Sequence, residues 1–214
     1  MPLNSYIKDL ISQGEHQQLD FKFEISDSKK IARNLVAFAN TDGGKLLVGV
    51  KDNGAIAGVR SEEEYFMVEA AASMYCRPEV HFNTHEWHVD GKLVLEIGVS
   101  RSELKPHFAP DKDGNWKVFV RVGDQNLMAN KVLLQVWKYR KSGKSVKIRY
   151  REQEALLLHL LQENGSITLS QFCRQAKIPT YIAEKILVNF ILLDIIKMGI
   201  TEKQTYYSLC NHRV

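Results

Sequence analysis

The chain has 214 residues, 44% hydrophobic and 25% charged, with 29 Lys and Arg against 25 Asp and Glu. That length buries a core in one domain or two modest ones, and the composition is that of an ordinary globular protein without a low-complexity tract. No run approaches the roughly 18 apolar residues of a membrane span, and the opening Met-Pro-Leu-Asn-Ser-Tyr lacks the basic-then-apolar order of a signal peptide, so the expectation is a cytoplasmic protein with no membrane partner.

Leu3 to Ser12 has apolar residues at helical spacing and reads as a short helix before Gly14. Leu19, Phe21 and Phe23 alternate with polar residues, the pattern of a half-buried strand. Ser26 or Ser28 is the expected cap of a helix whose Ile31, Leu35, Phe38 and Ala39 share one face and which Asp42-Gly43-Gly44 ends. Leu46 to Val50 is nearly continuous apolar sequence, as expected of a central strand buried on both faces. Asn53-Gly54 signals a hairpin turn into Ile56 to Val59. Glu62 to Tyr75 reads as a helix, Val80 to Val89 and Leu93 to Val99 as strands around Asp90-Gly91, Trp116 to Val122 as an alternating strand, and Asn130 to Arg140 as a closing helix. Elements mixed in this way give an α+β fold, a mixed α/β sandwich whose strand order the sequence leaves open.

Lys138 to Arg151 holds seven Lys and Arg and no acid, with Ser and Gly at its centre, and reads as a basic linker. The expected organisation is a first domain over 1–140, a linker over 141–150 and a second domain over 151–214. The charge is uneven: 18 Lys and Arg against 19 Asp and Glu through Arg140, then 11 against 6. Glu152 to Glu163, Leu169 to Ala176 and Thr180 to Leu193 read as helices, followed by a hairpin of Ile195 to Ile200 and Thr205 to Leu209, which is the order of a winged helix. On the third helix Ile182, Ile186, Leu187, Phe190 and Leu193 form the expected buried stripe. Thr180, Tyr181, Glu184, Lys185 and Asn189 are then outward, on the face that enters a major groove or, in other winged helices, meets a protein.

Several residues carry candidate chemistry. Glu15, Asp20 and Asp52 lie at the ends of apolar runs, where a carboxylate cluster could hold Mg2+ or Mn2+ for phosphodiester hydrolysis. The alternative is structural, with Asp52 shaping the Asn53-Gly54 turn and Asp20 paired to Lys22. Lys22, Lys105 and Arg121 offer fixed positive charge to phosphate, Arg121 in bidentate fashion, unless Arg121 pairs with one of the carboxylates instead. In the linker, Lys141, Lys144, Lys147 and Arg149 are the candidate phosphate contacts; Thr180, Tyr181 and Lys185 are those of the third helix. Asn40, Thr41, Gly43 and Gly44 either present backbone N–H groups to a phosphate or stop a helix and admit a strand. On a strand His81 and His85 face one side and His88 the other, so a zinc site is not expected there. Cys76, Cys173 and Cys210 are too far apart for a Cys-x-x-Cys site and read as reduced thiols.

Glu15, Asp20 and Lys22, the Ala37-Phe38-Ala39-Asn40-Thr41-Asp42-Gly43-Gly44 run, Gly49-Val50-Lys51-Asp52-Asn53-Gly54 and Val120-Arg121-Val122-Gly123 together resemble the Schlafen/AlbA-type domain across the first two thirds of the chain. The resemblance implies a nucleic-acid-binding module. Eukaryotic relatives include transfer-RNA-cleaving nucleases whose three carboxylates fall at Glu15, Asp20 and Asp52, with Asp20 standing where the family often has Glu. Those nucleases use two facing lobes and a Cys/His zinc motif, whereas this sequence supplies one lobe and no such motif. The expectation is a DNA-binding transcriptional regulator, acting on DNA or RNA as a homodimer. The alternatives are a metal-dependent endoribonuclease with transfer-RNA-type substrates, or a protein-interaction module.

Overall fold

The structure, a computed structural model, describes residues 3–143, 145 and 150–210. The chain divides into two compact units, Met1–Ala129 and Asn130–Val214. The first unit runs α1 (Leu3–Ser12), β1 (Leu19–Lys22), α2 (Ser28–Asn40), β2 (Gly44–Val48), α3 (Glu63–Met74), β3 (Phe82–Val89), β4 (Lys92–Val99), β5 (Ala109–Pro110), β6 (Trp116–Lys117), β7 (Phe119–Val122) and β8 (Gln125–Met128). The second runs α4 (Lys131–Ser142), α5 (Glu152–Asn164), β9 (Ser166–Ile167), α6 (Leu169–Ala176), α7 (Thr180–Leu192), β10 (Ile196–Ile200) and β11 (Thr205–Leu209). This is an α+β architecture.

The first unit is built on a four-stranded sheet of order β1-β2-β4-β3. β1 and β2 are parallel and joined through α2, while β4 runs antiparallel to both β2 and β3. The β3–β4 hairpin turns at Asp90 and Gly91, both at positive φ (51° and 76°), as a tight turn matched to strand twist requires. Because side chains alternate across a strand, Leu46 and Val48 of β2 join Leu95 and Ile97 in the core under α2 and α3. Leu47 joins Phe21, Val94 and Ile7 in a second core under α1. That double burial explains why this stretch reads as continuous apolar sequence rather than alternation.

Local expectations change in three places. The α2 cap is Asp27, not Ser26 or Ser28: its carboxylate accepts the Lys29 N–H at 2.8 Å. Residues 56–59 form no strand, because Gly49 O accepts the N–H groups of both Ala57 and Gly58, leaving a single bridge between Val50 and Ile56. The expected strand over 116–122 breaks at Val118; β6 pairs with β5 and β7 pairs with β8.

In the second unit β9, β11 and β10 form an antiparallel sheet with β11 in the middle. The helix expected to close the first domain belongs here. Asn130 caps α4 by accepting the Leu133 N–H at 2.9 Å and donates to Thr205 Oγ1 at 3.1 Å. Val132 and Val136 then enter the core with Leu187 and Phe190 of α7. The division at 129/130 therefore replaces the one expected at 140/141. Among the described residues no helix is long and apolar enough to cross a membrane. The three cysteines are free, and burial, aided by the nearby Glu79 charge, pushes the Cys76 thiol up to about 12.

Candidate functional site

β1 decides the fate of the first candidate set. With Leu19 and Phe21 committed to the core under α1, Asp20 and Lys22 emerge on the α2 side. Asp20 is buried, at 4% exposure, and both of its oxygens are occupied. Oδ1 meets Arg121 Nη2 at 3.0 Å. Oδ2 accepts from Lys22 Nζ at 2.6 Å and from Asn34 Nδ2 at 2.5 Å. Asn34 Oδ1 accepts from Asn126 Nδ2 at 2.8 Å, and Asn126 Oδ1 accepts from Arg121 Nη1 at 3.3 Å. Asp20, Arg121, Asn126 and Asn34 thus close a ring of hydrogen bonds that ties β1, α2, β7 and β8 together.

Arg121 is 2% exposed and corrects the expectation of a phosphate contact. Its guanidinium also donates to the carbonyls of Leu19 at 3.0 Å and His16 at 3.2 Å, and lies 5.2 Å from the Phe38 ring centroid. A guanidinium leaves water at this level only when carboxylate and carbonyl oxygens replace its hydration, which is the arrangement here.

Glu15 lies beside Asp20 and accepts the Phe21 N–H at 2.8 Å. Burial pushes its carboxyl above the ordinary value and the Asp20 charge acts in the same direction, against the Phe21 N–H and Lys22. Asp52 does not join them. It is exposed in the turn after β2, where Asn53 Oδ1 rather than Asp52 makes the turn bond, accepting the Ala55 N–H at 3.1 Å. Among the described residues no three His, Cys, Asp or Glu side chains group to hold a metal ion. This covers the three-carboxylate set and the exposed His81, His85 and His88. A divalent ion at Asp20 would have to displace Lys22 and stand against Arg121.

The carboxyl of Glu15 gives a direct check. Its titration by carbon NMR is expected to have a midpoint above 4.5, moving higher in Lys22→Met. The native state then holds this proton more tightly than the unfolded chain, so stability falls as pH rises from the unfolded carboxyl value through the raised midpoint. A midpoint at or below the ordinary value would mean that Glu15 is solvated and uncoupled from Asp20.

The Asn40 to Gly44 stretch is built as a clamp. Asn40, 2% exposed, donates to the carbonyls of His107 and Phe119, both at 2.9 Å, and accepts the His107 N–H at 2.8 Å. Thr41 Oγ1 accepts the Arg121 N–H at 2.9 Å. The N–H groups of Thr41 and Gly43 both go to Phe38 O. Gly43 has φ 73°, and a Cβ there would stand 2.7 Å from Val99 O. The Thr41 and Gly43 N–H groups, two of those a phosphate would need, are therefore spent internally.

The remaining candidates are more dispersed. Lys22 is held by Asp20, and Lys105 is half-buried. Lys141 is exposed in the last turn of α4, where a cation complements the helix dipole. Lys144, Lys147 and Arg149 lie outside the described residues. Thr180, Tyr181 and Lys185 are exposed on α7 as expected, Tyr181 at 70%. Glu184, expected on the same face, is buried instead; burial of the Tyr207 hydroxyl, joined by the Glu184 charge, pushes that hydroxyl above its ordinary value. Nothing in the sequence pattern pointed to Asn34 and Asn126, neutral residues whose role shows only once Asp20 and Arg121 are seen between them.

Set beside known proteins, residues 15–130 match the family described as "Schlafen, AlbA_2". No curated protein matches. Among solved structures the chain is similar to the DIP2311 protein from Corynebacterium diphtheriae, with 19% identity and a TM-score of 0.47. That match covers 71% of this chain and 35% of the other. It is also similar to the N-terminal domain of a RecG-related protein from Nitrosomonas europaea, with 21% identity and a TM-score of 0.41, covering 61% of this chain and 96% of that one.

Proposed function

The chain belongs to the Schlafen AlbA_2 family, which implies nucleic-acid binding in general, and from that premise we propose a DNA-binding transcriptional regulator that engages duplex DNA through its second unit. One observation carries the reading. The second unit has 14 Lys and Arg against 6 Asp and Glu, whereas the first has 15 against 19. All of the net positive charge therefore sits in 130–214. An excess of this sign concentrated in one small unit attracts a polyanion and, on binding, releases its counterions.

The order α5-β9-α6-α7-β10-β11, with β9 completing a three-stranded sheet, supports reading this unit as a winged helix. α7 would then be the recognition helix. Its other faces are occupied, since Ala183, Glu184, Leu187 and Val188 are buried and α4 contributes Val132 and Val136 to the same core. What remains for a groove is the N-terminal end, with Thr180, Tyr181 and Lys185, the end that meets base edges in helix-turn-helix proteins. Two copies paired about a two-fold axis would present two such ends to a palindromic site.

Fluorescence anisotropy with labelled duplex DNA tests the reading. Changing Lys141, Lys144, Lys147 and Arg149 to Ser is expected to weaken binding and to flatten the salt dependence by about 0.9 in log–log slope for each phosphate no longer neutralised. Lys185→Ser should weaken it further, and Tyr181→Ala should alter preference among sequences. Affinity unchanged in all of these variants between about 50 and about 200 mM salt would remove the second unit from DNA binding.

A further inference from the structure

The first unit is net acidic, yet its cations are not scattered. Lys22, Lys30, Arg33 and Lys112 line one cleft of about 710 Å³, whose walls include Phe119, Leu127 and Met128 and whose lining includes Asn34 and Asn126 of the hydrogen-bonded ring. The side chains of Lys30, Arg33 and Lys112 make no hydrogen bond or ion pair among the described residues. The two acids in the lining, Asp111 and Asp113, leave the four cations in excess. Asp111 is moreover engaged by the N–H groups of Asp113 at 3.0 Å and Asn115 at 2.8 Å.

Two further features point to an anion. Lys30 stands in the first turn of α2, beside Lys29, with only the Asp27 N-cap carboxylate as a negative group at that end of the helix. Arg33 follows three residues later on the same face, a like-charge spacing that destabilises an isolated helix. That repulsion is relieved when a phosphate lies between the two cations. Met128 is 62% exposed at the cleft, an apolar surface beside the cations that a purely ionic site does not need.

We propose that this cleft binds a single-stranded stretch of nucleic acid, with one or two phosphates on Lys30, Arg33 and Lys112 and an unpaired base against Leu127 and Met128. A duplex holds its bases stacked and paired inside a rigid cylinder, so it can touch the cations but cannot offer a base to the apolar wall. An unpaired strand does both at once. The cleft's size falls in the usual range for a site that takes a small-molecule-sized group. The Asp20–Arg121–Asn126–Asn34 ring beside it fixes α2 and the β7–β8 hairpin at their spacing. The inference extends the nucleic-acid reading to the first unit and assigns it a different substrate from the second.

The full chain is titrated by anisotropy against a labelled ten-nucleotide single strand and, separately, a labelled duplex. The triple variant Lys30→Ser, Arg33→Ser, Lys112→Ser is expected to lose single-strand affinity on the order of tenfold or more and to flatten the single-strand salt slope by about 2, at roughly 0.7 per neutralised phosphate. Its duplex affinity stays unchanged. Met128→Glu should weaken single-strand binding while leaving the thermal melting curve where it was, because that side chain is exposed. The triple variant should likewise melt as the parent does. Single-strand affinity and slope unchanged in the triple variant, or a parent that binds duplex and not single strand, overturns the inference and leaves the proposed regulator standing. Cleft-dependent single-strand binding without duplex binding does the reverse, and a parent that binds neither overturns both.

Discussion

Arg121→Met is expected to destabilise the first unit by about 3–5 kcal/mol, the range for removing one partner of a buried ion pair. The loss has an identifiable source. Asp20, at 4% exposure, would keep Lys22 and Asn34 but lose the guanidinium. The carbonyls of His16 and Leu19 and the amide oxygen of Asn126 would lose their donor as well. Arg121→Lys should recover only a fraction, because an ammonium has three donors on a point charge and cannot span four acceptors held by β1, the turn before it and β8. Hydrogen exchange read by peptide is the suitable measurement, since it separates the two units. Protection should fall across 15–22, 31–40 and 119–128 and remain at parent levels across 152–210. Parent-level protection everywhere in Arg121→Met would mean that the ring does not hold the unit together. Arg121 would then return as a candidate for contact with nucleic acid.

The same residue shows what a sequence can and cannot reveal. Phe119-Val120-Arg121-Val122 alternates just enough to suggest a strand with one wet face, and an arginine on a wet face beside a glycine turn invites a phosphate. Phe119, Val120 and Arg121 are all buried: Phe119 enters the core under α2, and Arg121 reaches Asp20 of β1 beside the Phe38 ring. The partner that makes this tolerable, Asp20, is about a hundred positions away, beyond the reach of any local pattern. β2 was legible for the opposite reason: burial on both faces writes itself into the consecutive Leu46, Leu47 and Val48, although the strand itself starts at Gly44, two residues before the expected run. The Asp90-Gly91 hairpin was legible because a two-residue turn needs positive φ at both positions. α4 was visible as a helix but not as part of the second unit, since a stripe of Val132 and Val136 fits any apolar partner. Glu184, outward by α7's own periodicity, is buried in fact, near Tyr207 of β11. Two-residue strands such as β5, β6 and β9 hold too few residues to show a period at all.

A second large effect is expected at Asn40, in the run that most invites a phosphate-binding interpretation. Its amide satisfies two carbonyls and one N–H, at His107 and Phe119, inside a core where it is 2% exposed. Two donors and an acceptor on one short planar group are what asparagine has and other side chains of its size lack. Asn40→Leu would leave all three backbone groups buried without partners, at about 1–3 kcal/mol each, so a loss of at least about 3 kcal/mol is expected. Asn40→Asp should be no better, since it turns oxygens toward two carbonyl oxygens. The damage should spread in one direction. Asn40 holds the start of β7 and Thr41 Oγ1 holds the Arg121 N–H, so freeing this end of α2 loosens the strand that delivers Arg121 to Asp20. Exchange protection should therefore fall over 107–122 in Asn40→Leu, overlapping at 119–122 the loss expected in Arg121→Met, and the two variants combined should cost less than their sum, because each breaks the same junction. If Asn40→Leu instead melts with the parent and keeps its protection over 107–122, the run is not a clamp. A phosphate on its backbone N–H groups would then be the better account of why Asn, Thr and two glycines stand together there.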